Sequence, residues 1–157
     1  MINLENAQKL VELLTEKGLT LGSVESLTGG LFSSAICGVP GASKTFKGGL
    51  VTYAASEKVA LLGIDPKVID DYGVVSKEVA KEMATKGQKR LDVDVCVSFT
   101  GNAGPTREPG DAPVGRVEMC LALKENVIGL TKNFNLPRNL LREACVDAMI
   151  EEILKNF

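Results

Sequence analysis

Residues 20–38 read TLGSVESLTGGLFSSAICG, from Thr20 to Gly38. The stretch opens as a short strand, TLGSVES, and runs into the loop Thr28-Gly29-Gly30. LFSSAICG then reads as a short helix, ended by Gly38, Pro40 and Gly41. A strand, a small-residue turn and a helix in that order are the unit step of an α/β protein.

The same alternation continues on both sides. Upstream, Leu4, Ala7, Val11 and Leu14 recur at helical spacing after a cap at Asn3, and Gly18 stops the run. Downstream, GGLVTYA (48–54) is a second strand, and SEKVALLG (56–63) a short helix capped by Ser56. Asp65-Pro66 is a cap followed by proline at the first helical position. Ser76 caps a longer helix carrying Glu78 in its first turn and Val79, Met83 and Gly87 along it. DVCVSFTG (94–101) is a very apolar third strand and therefore central. A Gly/Pro loop from Gly101 to Gly115 leads to VGRVEMCLALK and NVIGLTKNFNL, two strands joined by a tight turn near Glu125-Asn126. From Pro137 a closing helix carries Leu141, Ala144, Cys145, Ala148 and Met149 as its stripe. The pattern predicts one domain, residues 1–157. Its architecture is a three-layer α/β/α sandwich around a mainly parallel mixed sheet with an antiparallel strand.

Composition narrows the chemistry. The chain has 157 residues, a net charge of −2 and no histidine. A near-neutral chain without a basic run offers no footprint for nucleic acid. No apolar run approaches the roughly 18 residues of a membrane span, and MINLENAQKL is not a secretory signal. A cytoplasmic protein is expected. The four cysteines, Cys37, Cys96, Cys120 and Cys145, form no CxxC pair and read as buried free thiols. Without histidine there is no Ser-His-Asp or Cys-His arrangement, and most zinc and non-haem iron sites are excluded. No metal and no cofactor is expected. A nucleophile here has to be activated by lysine, tyrosine, a carboxylate or a helix terminus.

In open α/β sheets, ligands bind beyond the carboxyl ends of the strands, where three loops of small residues lie. Glu25-Ser26-Leu27-Thr28-Gly29-Gly30 presents Ser26 beside free backbone N–H groups able to hold an oxyanion or a phosphate. Equally, it reads as a tight turn with a serine cap. Tyr53 closes a strand, and Lys58 lies one helical turn further on. In a dry pocket Lys58 would lose its charge and take a proton from serine, with Tyr53 relaying it or orienting the lysine. A solvated surface lysine is the plain alternative. Thr100-Gly101-Asn102-Ala103-Gly104-Pro105 lets a ligand approach the backbone or is a simple turn. GVPGASKT (38–45) is one substitution from a phosphate-binding P-loop. It is rejected because Ser43 replaces the required glycine and the preceding segment is helical.

Together, ESLTGGL, VPGASKTFKGGLVTY, the spaced Lys58, LLGI, YGVVSKEVAKEMA, TGNAGP and PVGRV resemble the C-terminal domain family of the competence/damage-inducible protein CinA. Its enzymatic members are nicotinamide-nucleotide amidases. The resemblance implies hydrolysis of the carboxamide of nicotinamide mononucleotide to nicotinic acid mononucleotide and ammonia, without metal. It implies Ser26 as nucleophile with Tyr53 and Lys58 in support. It further implies a homodimer or higher homo-oligomer, and a fused second domain in many members that is expected to be absent here.

On this reading N–H groups near Thr28, Gly29 and Gly30 hold the oxyanion, and Thr100, Gly101 and Gly104 pack against the nucleotide. Arg138 and Arg142, one turn apart, are phosphate ligands or ordinary helix-surface arginines. The chain departs from the family pattern at Ala54-Ala55, at Asn102, from Thr106 to Asp111 and at Leu136-Pro137. Two other readings therefore stand beside the amidase: a non-catalytic nucleotide- or partner-binding module, and an amidase with another substrate.

Overall fold

A computed structural model describes all residues, Met1–Phe157. In chain order the elements are α1 (Leu4–Lys17), β1 (Leu21–Glu25), α2 (Leu31–Cys37), β2 (Phe46–Val51), α3 (Ala55–Leu62), α4 (Pro66–Tyr72) and α5 (Lys77–Leu91). The strands β3 (Val95–Gly101), β4 (Arg116–Ala122) and β5 (Val127–Asn133) follow, and α6 (Arg138–Lys155) closes the chain.

The caps explain most of the helix starts. Asn3 accepts the Asn6 N–H, Asp65 that of Lys67, and Ser76 that of Val79, each contact worth about 1 kcal/mol. Ser56 does not cap α3, contrary to expectation. The helix starts two residues earlier than a Ser56 cap requires, so Ala54 is the capping residue and has no side chain able to accept. Between α2 and β2 a single 3-10 turn, Ala42–Lys44, occupies the P-loop-like stretch. A helix precedes it and a strand follows, the reverse of a phosphate-binding loop.

The strand order is β2-β1-β3-β4-β5. β1 pairs parallel to β2 and β3, and β4 runs antiparallel to both β3 and β5. Alternation along the strands separates two cores. Leu21, Val95, Val97, Phe99, Val117, Met119 and Leu121 meet α1, α2 and α6 on one face. Val24 and Cys96 meet Leu62, Val79 and Met83 on the other, where Ala80 and Ala84 also pack on Cys120 and Ala122. Three cysteines are buried as expected, and burial pushes the thiols of Cys96 and Cys145 up to about 12 and that of Cys120 to about 11. Cys37 is exposed instead, because it ends α2 on its solvent side. No helix is long and apolar enough to cross a membrane.

α5 lies close against β1 because Gly87 has no side chain. A Cβ there would collide with Val24 Cγ2 and press on Cys96 Sγ. Gly87→Ala is expected to destabilise the protein by about 1–3 kcal/mol despite alanine's better helix propensity. A urea midpoint equal to that of the wild type would show the contact to be loose.

The chain leaves β1 for one edge of the sheet and later returns to β1's other side as β3. α2 crosses one face and α3 to α5 cross the opposite one. The crevice at the carboxyl ends of β1 and β3 is therefore a topological switch point, where ligands bind in such sheets.

Candidate functional site

Ser26 is the first residue beyond β1. Its N–H donates to Phe99 O at 3.1 Å, and the carbonyl of Glu25 accepts the Thr52 N–H at 2.9 Å. These bonds extend the ladder one step past the strand and hold the turn rigid. Alternation turns Glu25 toward α2 and Ser26 toward α3.

Lys58, in the first half of α3, reaches Ser26 from that side and is fully buried. Its Nζ lies 2.6 Å from Thr52 O, 3.1 Å from Ser26 Oγ and 3.2 Å from Tyr53 O. It takes part in none of the ion pairs. Burial without a compensating acid lowers its pKa from 10.5 to about 8. A neutral amine has two hydrogens and one lone pair. As the ammonium, Lys58 donates to all three oxygens, Ser26 Oγ included, and the Ser26 hydroxyl donates to Tyr53 O at 3.3 Å. Once neutral, the amine keeps two hydrogens for the carbonyls of Thr52 and Tyr53 and has its lone pair free for the serine proton. The solvated-lysine alternative is therefore overturned. So is the serine cap, because Gly30 is the capping residue of α2 and Ser26 bonds none of its N–H groups.

Tyr53 lies two residues past the end of β2 rather than closing it, and it is 60% exposed. It meets Lys58 through its backbone carbonyl. Its phenol oxygen instead accepts from Arg138 Nη2 at 3.2 Å.

Gly29 and Gly30 take positive φ of 58° and 100°, which bends the chain sharply after the serine. The Gly29 N–H is used within the turn, donating to Ser26 O at 3.0 Å, so it is no oxyanion donor. The N–H groups of Leu27, Thr28 and Gly30 have no acceptor in the chain. The buried hydroxyls of Thr28 and Thr52 also lack partners.

The remaining expected residues brace the site. Thr100 stands beside Ser26, because Glu25 is in register with Phe99. Its Oγ1 donates to Val74 O at 2.9 Å. Gly101 ends β3, packed under Leu27. Arg138 Nη1 donates to Gly104 O at 2.7 Å. Arg142 donates to Leu27 O at 2.8 Å and Thr28 O at 3.1 Å. The arginines thus tie α6 to the two loops. Both guanidinium groups are engaged within the chain and are not free surface groups. Asn102, a departure from the family pattern, pins its own loop through both ends of its amide. Oδ1 accepts the Gly104 N–H, and Nδ2 donates to Ala112 O.

Sequence reasoning missed Glu25. Its buried carboxylate accepts the N–H groups of Phe32 at 2.9 Å and Ser33 at 3.0 Å, and the hydroxyls of Ser33 at 2.6 Å and Ser23 at 3.1 Å. It caps α2 from the preceding strand and so fixes the turn carrying Ser26. A charged residue at the end of a strand otherwise wholly buried was the available signal. No group of three or more histidine, cysteine, aspartate or glutamate side chains converges to hold a metal ion.

Fold and site together define a three-layer α/β/α protein whose serine–lysine pair sits at the switch point of its mixed sheet. The family model for the CinA C-terminal domain matches residues 3–157. The chain belongs to that family. It is 42% identical over 152 residues to a CinA-like protein of Flavobacterium psychrophilum, covering 94% of this chain and 36% of the relative. A CinA-like protein of Petrotoga mobilis is 39% identical over 134 residues, covering 85% and 33%. The chain thus spans about a third of the length of these curated relatives. Among solved structures, a competence-damaged protein (CinA) superfamily protein from Escherichia coli superposes with a TM-score of 0.95 at 28% identity, covering 99% of this chain and 91% of that one. A competence or damage-inducible protein from Enterobacter asburiae gives 0.94 at 27%, covering 99% and 98%.

Proposed function

We propose that the chain hydrolyses a carboxamide through Ser26, with nicotinamide mononucleotide as substrate. The observation that carries the chemistry is the buried Lys58 Nζ, 3.1 Å from Ser26 Oγ, with the carbonyls of Thr52 and Tyr53 as its other hydrogen-bond partners. The choice of substrate rests on the family resemblance of the motifs around that pair.

Neutral Lys58 takes the proton from Ser26 Oγ as the oxygen bonds to the carboxamide carbon. The resulting ammonium keeps three acceptors: the serine oxygen and the carbonyls of Thr52 and Tyr53. The unpaired N–H groups of the Leu27–Gly30 turn serve the oxyanion, where one donor is worth roughly 3 kcal/mol of barrier. Lys58 returns its proton to the departing nitrogen, and ammonia leaves. Water, deprotonated by the same amine, hydrolyses the acyl-enzyme and regenerates Ser26. Tyr53 contributes its carbonyl to hold the amine and its phenol to anchor Arg138.

The test is ammonia release from nicotinamide mononucleotide without added metal. Ser26→Ala is expected to abolish it while leaving the melting temperature within a few degrees. Turnover that survives in Ser26→Ala would remove the serine from the reaction. Because the neutral amine is the base, kcat/KM should rise with pH and level off above about 8.

A further inference from the structure

A cleft of about 460 Å³ opens between the Tyr72–Val75 segment and the Asn102–Arg116 loop. It lies at the carboxyl end of β3, the strand beside the one that carries the serine. Ser26 stands beside Thr100 in the β1–β3 register, about 5 Å away across the strands. Thr100 holds Val74 at the cleft wall, and Gly101 lines the cleft. A substrate whose carboxamide reaches Ser26 has this space for its other end.

The cleft also holds an unused cation. Arg138 and Arg142 are occupied by loop carbonyls. Arg116 differs: Nε donates to Asn133 Oδ1 at 2.7 Å, which orients the guanidinium, while both terminal amino groups have no partner in the chain. Asp111 lines the same cleft, with one carboxylate oxygen accepting the Glu108 N–H at 2.9 Å. The N–H groups of Val74 and Ala112 are also without acceptors. A two-pronged cation, a carboxylate and free amides match a phosphorylated sugar: the fork binds phosphate and the carboxylate accepts from sugar hydroxyls.

Resting on the amidase reading, we propose that this cleft binds the ribose phosphate of the substrate, with Arg116 as the residue that selects the mononucleotide over its unphosphorylated riboside.

The experiment compares nicotinamide mononucleotide with nicotinamide riboside on wild type and on Arg116→Gln. KM for the mononucleotide is expected to rise about 10- to 100-fold with kcat little changed, and the riboside's kcat/KM to stay the same. Arg116→Lys should recover part of the loss. An equal loss on both substrates, or none on either, overturns the proposal. Should Arg116→Gln not fold, Tyr72→Glu on the facing, exposed wall is used. It should raise KM for the anionic mononucleotide and not for the cationic riboside, and a parallel change overturns the proposal. If the wild type releases no ammonia from either compound, the amidase reading fails, and the cleft is judged by calorimetric titration with ribose 5-phosphate. Heat that Arg116→Gln removes supports the subsite, and no heat from the wild type overturns it.

Discussion

Replacing Lys58 by methionine is expected to lower ammonia release about a thousandfold, because the only base within hydrogen-bond reach of Ser26 Oγ is then gone. The same variant tests the electrostatics independently of any substrate. In the folded protein burial depresses the lysine to about 8, against 10.5 for the free side chain. Between those values the unfolded chain binds a proton that the native state does not, so wild-type stability rises with pH across that window. Below about 8 both states are protonated, and the cost of burying the cation is fully present. Between pH 7 and pH 10.5 the wild type should gain about 3 kcal/mol relative to Lys58→Met. Urea unfolding at the two pH values measures this difference. A constant difference would mean that water reaches the amine and that its pKa is ordinary.

The second large effect is expected at Glu25, which no reacting atom touches. Glu25→Ala leaves two helix N–H groups and two hydroxyls without their acceptor in a place from which solvent is excluded. Removing one partner of such a buried, charge-assisted network costs about 3–5 kcal/mol. For a chain of this length that is a fall in Tm of roughly 10 °C. Glu25→Gln keeps the volume but turns an N–H₂ toward donors, so it should recover only part of the loss. Calorimetry of the three proteins decides the matter. A melting temperature unchanged in Glu25→Ala would show that α2 starts without this cap. Turnover should fall along with stability, because the turn carrying Ser26 hangs between Glu25 and α2.

The fold was largely legible in the sequence, for reasons that can be named. Leu4, Ala7, Val11 and Leu14 repeat at the helical period, and three of the four are buried. Asn3, Asp65 and Ser76 cap their helices because a short side chain bonds an N–H two or three residues on, a contact contained within a few residues. The apolar β3 run had to be central, since a strand covered on both faces needs no polar side. Ser56 failed as a cap because α3 begins two residues earlier than that cap requires, a shift that periodicity cannot resolve. Cys37 failed as a buried thiol because seven helical residues make two turns, and only one side of them meets the core.

The candidate site was legible as a set of residues and not as an arrangement. The order of motifs singled out Ser26, Tyr53 and Lys58. That Lys58 Nζ meets Ser26 Oγ across 32 residues depends on β2 lying beside β1 and on α3 crossing the face toward which Ser26 points. Whether Tyr53 acts by ring or carbonyl, whether Arg138 and Arg142 are free, and which N–H groups of the glycine turn lack acceptors are likewise decided by partners distant in the chain. Local sequence determined what each segment of backbone becomes, because caps, turns and periodicity act within a few residues. The tertiary structure alone decided which side chains share a desolvated space. Hydrogen bonding and pKa depend on distance and burial, and both arise only when the sheet has assembled.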